Sequence, residues 1–105
     1  MSTITLLTIR EFIDQARESM HRCQEREQRT YSDYFRGCID ALTFILEKME
    51  EKGIDQADAR FIESLPFCYK HYADLLGKSD DRVFFALDYM NQLALSLKRK
   101  EVQHA

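Results

Sequence analysis

Residues 31–52 read YSDYFRGCIDALTFILEKMEEK. At about 100° per residue, Tyr31, Phe35, Cys38, Leu42, Ile45 and Met49 step by four and three and share one stripe of a helix. Tyr34, Ile39 and Leu46 widen that stripe to what a core-facing helix needs. A second flank, well away from the first, carries Gly37, Ala41 and Phe44 at i, i+4 and i+7. Glycine inside a helix costs about 1 kcal/mol relative to alanine. Close approach of another helix over a small-residue notch is a common compensation. The stretch is therefore expected to be contacted from two directions, by its own chain and by a further helix or a further molecule. The competing reading makes Gly37 a tolerated surface glycine and Phe44 a lone exposed aromatic.

Composition points the same way. The chain has 105 residues, of which 45% are hydrophobic and 31% charged, so one globular domain with a modest core is expected. Only 3 glycines and 1 proline punctuate it, which implies few, long elements. The expected fold is all-α, a small bundle of three to four helices. The net charge of −3 leaves no basic footprint, so a dedicated nucleic-acid binder is not expected. Cys23, Cys38 and Cys68 are widely spaced on or beside apolar stripes and read as small buried thiols of a reduced, cytoplasmic protein. No apolar run approaches the ~18 residues of a membrane span. MSTITLLTIREF has no basic n-region, so no secretory signal is expected there.

Residues 1–7 are expected to form an extended arm that packs on the bundle or adds to a partner's sheet edge. Thr8 and Glu11 have the spacing of a capping box, with Leu7 as its staple. Ile9, Phe12, Ile13, Ala16, Met20 and Cys23 then form one stripe. The segment QEREQRT, 24–30, has no apolar residue but also no Gly or Pro. The stripes on its two sides nearly agree in phase, which favours one continuous or kinked helix over 9–52 against a turn capped by Thr30 or Ser32. Gly53 ends that helix, with Ile54 placed for a Schellman contact. Asp55 is expected to cap a third helix whose apolar set is Phe61, Ile62, Leu65, Cys68, Tyr69, Tyr72, Leu75 and Leu76. Pro66 kinks or restarts it and Gly77 ends it. A last helix, 80–100, buries Val83, Ala86, Leu87, Met90, Leu93, Ala94 and Leu97. Residues 101–105 are expected to fray.

Chemistry-bearing patterns are sparse. Glu18 and His21 make one Glu-x-x-His, where a di-iron bundle needs two. His21 with Cys23, and Cys68 with His71, supply the four donor types of a zinc site without the spacing of a zinc module. Cys68 and His71 also have the types of a nucleophile and its base. Arg99 and His104 form an Arg-x4-His that resembles the signature of HEPN-type helical ribonucleases; the resemblance covers these two residues, and in that family the motif lies on an ordered helix lining a dimer cleft. Arg22, Arg26, Arg29 and Arg36 recur every one to two turns but alternate with Glu25, Glu27 and Asp33, as on an ion-paired solvated face. No phosphate loop, GxSxG or HExxH occurs.

No catalytic, cofactor or metal residue is therefore assigned, and no cofactor is expected. The surplus apolar residues point to protein–protein interaction: Gly37, Ala41 and Phe44 on one helix, and Phe84, Phe85, Tyr89 and Leu95 on the last. The expected function is that of a non-enzymatic adaptor, inhibitor or regulatory subunit, phage or bacterial by analogy. Its partner is another protein, and it self-associates as a homodimer. The alternatives are a HEPN-like or metal-dependent helical enzyme and a nucleic-acid-binding helical module.

Overall fold

The computed structural model describes residues 2–104, and of 101–104 only the backbone. The order of elements is β1 (Thr3–Thr5), α1 (Leu6–Glu25), α2 (Arg29–Lys52), β2 (Gln56–Asp58), α3 (Ala59–Glu63), α4 (Pro66–Leu75) and α5 (Asp80–His104). The chain is an all-α helical bundle carrying a small two-stranded sheet.

Helix ends decide the layout. Gly53 takes a left-handed conformation (φ 66°), its N–H donating to the Glu50 carbonyl and that of Ile54 to Met49. Gly77 (φ 67°) repeats the pattern, with Gly77 donating to Asp74 and Lys78 to Ala73. Both are Schellman closures, as expected of these glycines. A third closure lies where a continuous helix over 9–52 was expected. Glu27 adopts φ 58°, its N–H donates to the Gln24 carbonyl, and Gln28 donates to Cys23. The helix stops there, and the three residues between α1 and α2 let them fold into an antiparallel hairpin. Arg10 near the start of α1 then meets Glu50 near the end of α2 at 3.2 Å.

The start of α1 also differs from the expected capping box. Thr5 is the cap, its hydroxyl oxygen accepting from the Thr8 N–H at 3.1 Å, so the helix begins three residues before Ile9. Leu7 lies exposed on α1 and staples nothing. The staple positions belong instead to Ile4 and Ile9, both buried in the core. Of the expected arm over 1–7, Thr3–Thr5 is extended and pairs antiparallel with β2, with Ile4 opposite Ala57 and both buried. The strand thus adds to an edge of its own chain.

Asp58, not Asp55, caps α3, its carboxylate accepting from the Phe61 N–H at 2.9 Å. Pro66 does more than kink a third helix: it occupies the first turn of a separate α4, where its missing N–H is harmless. The restart shifts the helical phase. α4 buries only Tyr69 and Ala73, one turn apart. Cys68, Leu75 and Leu76, assigned to the core stripe from sequence, face outward, as does Phe67 at 84% exposure. α5 is bounded by Asp80 and His104.

The core lies between the α1–α2 hairpin and α5. Ala41, Leu42, Ile45 and Met49 of α2 and Ala86, Met90 and Ala94 of α5 are almost fully buried. The crossing of α2 and α5 is built on Gly37. A Cβ there would sit 2.5 Å from Phe85 Cβ, 3.0 Å from the Ala86 nitrogen and 3.1 Å from the Arg82 carbonyl oxygen. Only glycine admits that approach, and this is the notch the sequence implied.

Beside the crossing, Asp40 of α2 (side chain 10% exposed) accepts from Arg82 Nε at 2.5 Å and Nη2 at 3.0 Å. Lys78, in the turn before α5, lies 3.3 Å from the same carboxylate. Lys98 of α5 and Glu63 of α3 form a further ion pair. Tyr69 packs edge-on against Phe44 with centroids 5.3 Å apart, and its buried hydroxyl has no hydrogen-bond partner. Burial, with the Asp40 charge adding to it, pushes that hydroxyl's pKa up to about 12.

Candidate interaction surface

Seven residues were expected to form an interface, and the structure divides them. Gly37, Ala41 and Phe44 are buried, covered by this chain's own α5 and by the Tyr69 and Tyr72 rings of α4. Their flank of α2 is an internal contact and not an exposed face for another molecule. Sequence periodicity identified the second contact direction but could not say whose helix fills it. Phe85 and Tyr89 are half-buried, Leu95 is partly exposed, and Phe84 stands out at 64% exposure.

Phe84 does not stand alone. Its ring meets Phe85 at 5.8 Å, Phe85 meets Tyr34 at 5.7 Å, and Tyr34 meets Phe35 at 5.2 Å. All three contacts are edge-on, the arrangement aromatic quadrupoles prefer. Tyr31, one turn from Tyr34 and Phe35 on α2, is 61% exposed. Tyr31 and Tyr34 had been assigned to the core stripe of α2.

This run of four rings opens onto a groove of about 300 Å³ between α1, α2 and α5. Phe12 and Ala16 form one wall, Cys38 and Leu42 the floor, and Tyr89 the far side. The Cys38 thiol is pushed up to about 11 by burial, so it is a neutral apolar group at pH 7. Burial likewise pushes Tyr89 up to about 12 and raises Tyr34. The groove can accept rings and aliphatic side chains, and it supplies no activated nucleophile or base. A second apolar patch, Phe67, Tyr72, Leu75 and Leu76, lies on α4.

The chemical patterns fare differently. Glu18 is ion-paired with Arg22 one turn on, at 2.5 Å. His21 lies on α1 and is exposed, while Cys68 and His71 are exposed on α4. Among the described residues no three His, Cys, Asp or Glu side chains gather to hold a metal ion. Arg99 is exposed on α5; the side chain of His104, its partner in the Arg-x4-His pattern, lies outside the described residues. Arg22, Arg26, Arg29 and Arg36 are all exposed; Arg36 lines a cleft at the α1–α2 turn and also one shared with Arg17 and His21 of α1. The Asp40–Lys78–Arg82 cluster escaped the sequence reading because Asp40 lies 38 and 42 positions from its two partners, with no local pattern to relate them.

Among the described residues, no helix is long and apolar enough to cross a membrane. Comparison of the chain with protein-family models, with curated proteins and with solved structures returns no match.

Proposed function

We propose that the chain is a non-enzymatic helical module that works by binding protein, a second copy of itself first, through the ring run of Phe84, Phe85 and Tyr34. One observation carries this reading: Phe84, 64% exposed, is joined through Phe85 to Tyr34 and Phe35, whose rings line an apolar groove. Exposed aromatics in such a setting are the usual anchors of interfaces. Edge-to-face geometry makes a row of rings complementary to an identical row, and a twofold axis through it closes the assembly at two copies. An adaptor, inhibitor or regulatory subunit uses this kind of surface.

Light scattering over 1–100 µM tests the proposal. A dimer is expected, with Phe84→Glu weakening it by about 30-fold, the ~2 kcal/mol of an anchor residue. Leu75→Glu on α4 is expected to leave the mass unchanged. A strict monomer throughout that range overturns self-association. A dimer abolished by Leu75→Glu and indifferent to Phe84→Glu moves the surface to α4.

A further inference from the structure

On the opposite flank of the α1–α2 seam from the apolar groove lies a cleft of about 290 Å³ that combines apolar lining with charged side chains. Arg17 and His21 line it from α1, Arg36 and Asp40 from α2, and Arg82 from α5. The three guanidinium groups come from three different helices, so their convergence is a product of the fold. No ion pair or hydrogen bond engages Arg17, Arg36 or His21 among the described residues.

Arg82 differs from the other two. Asp40 binds it side-on, through Nε and Nη2, and so fixes the plane of the guanidinium. Nη1 takes no part in that pair and keeps both its donors. Asp40 does not cancel the cleft's charge either, because Lys78 lies 3.3 Å behind it and shares the same carboxylate. The cleft keeps a surplus of positive charge in a protein whose net charge is −3. Met20 and Ile39 add apolar lining beside the charged groups.

We propose that this cleft binds a small phosphate monoester. Planar forked donors match phosphate oxygens, and a guanidinium held in place by a carboxylate loses little freedom on binding. The two exposed arginines would close on the dianion from α1 and α2, with Arg82 as the fixed donor between them. The apolar pair suits the organic part of an ester. A long polyanion fits less well. Asp33 and Glu27 line the neighbouring cleft at the α1–α2 turn together with Arg36, and their carboxylates would repel the further phosphates of a tracked backbone. The site is independent of the ring run on the other side of the seam.

Thermal melts and calorimetry with a nucleoside 5′-monophosphate, with inorganic phosphate and with chloride of matched ionic strength test it. Both phosphates are expected to raise the melting temperature above the chloride control, the monoester more than the free ion. Arg17→Gln/Arg36→Gln, melting like the parent without ligand, is expected to bind at least about tenfold more weakly. Arg60→Gln, on α3, is the control for general charge and is expected to bind as the parent does. A shift no larger than chloride produces, or one undiminished in the double variant, overturns the site. Tighter binding of an unphosphorylated RNA oligonucleotide than of the monoester would replace it with a nucleic-acid groove.

Discussion

Gly37 shows how one missing methyl group positions two helices. Replacing it with alanine brings the ~1 kcal/mol of helix propensity that glycine forgoes. The new Cβ, however, would lie 2.5 Å from Phe85 Cβ and 3.0 Å from the Ala86 nitrogen, and neither atom is the movable tip of a side chain. The overlap must separate α2 from α5, and overpacking of that kind costs about 1–3 kcal/mol. Overlap is expected to win: Gly37→Ala should lower the unfolding free energy by about 1 kcal/mol net, read as a shift of the urea midpoint with unchanged slope. At this scale the sequence was legible up to a point. The i, i+4 pair of Gly37 and Ala41 announced a helix contact, because few other pressures put glycine inside a strong helix. That Phe44 serves the same internal contact, and that Tyr31 faces solvent, were not legible. A periodic stripe records which residues share a face of a helix but not how far along it the neighbours reach.

Among the elements, the three helix ends make the comparison. α2 and α4 close on Gly53 and Gly77, and both were readable because glycine at such a place has a specific backbone use. α1 closes by the same hydrogen bonds on Glu27, whose side chain makes the left-handed conformation unfavourable by about 1 kcal/mol. Nothing in the residue type signalled that end, and the continuing apolar phase argued against it. Glu27→Gly is therefore expected to stabilise the chain by about 1 kcal/mol, raising the melting temperature by roughly 4 °C while the helical circular dichroism stays the same. A fall in melting temperature would mean that the Glu27 side chain contributes more to the turn than its backbone strain costs. The pairing of Thr3–Thr5 with Gln56–Asp58 was invisible for a related reason. Three-residue strands have too short a pattern to read, and Gln56 and Asp58 are not strand formers.

For the molecule as a whole, buried acids with raised pKa values set its alkaline limit. Cys38 is held neutral up to about 11 against an ordinary 9.0, and Tyr69 and Tyr89 up to about 12 against 10.0. Between the ordinary and the raised value the unfolded chain has lost the proton and the folded chain keeps it, so stability falls as pH rises. The contribution is intact below pH 9, declines first through Cys38, and then through the two tyrosines from pH 10. Melting temperatures are expected to drop progressively above pH 9, and Cys38→Ala should delay the onset towards pH 10. An unchanged onset in that variant would show that Cys38 stays protonated for too little free energy to matter. The fold class was legible at this scale because so few glycines and prolines leave room only for long helices. The ring run and the arginine cleft were not, since each is assembled from helices that no local spacing relates.

The small sheet fixes an order of events. Thr3 hydrogen-bonds to Gln56, 53 residues later, so on the ribosome the first strand is made roughly 3–10 s before its partner exists. The α1–α2 hairpin, joined by a short turn, can close in that interval. The first strand therefore locks after the hairpin that separates it from its partner, though α5, made later still, is needed to close the core. Until the strand locks, Ile4 and the first turn of α1 remain open to chaperones, proteases and other unfinished chains.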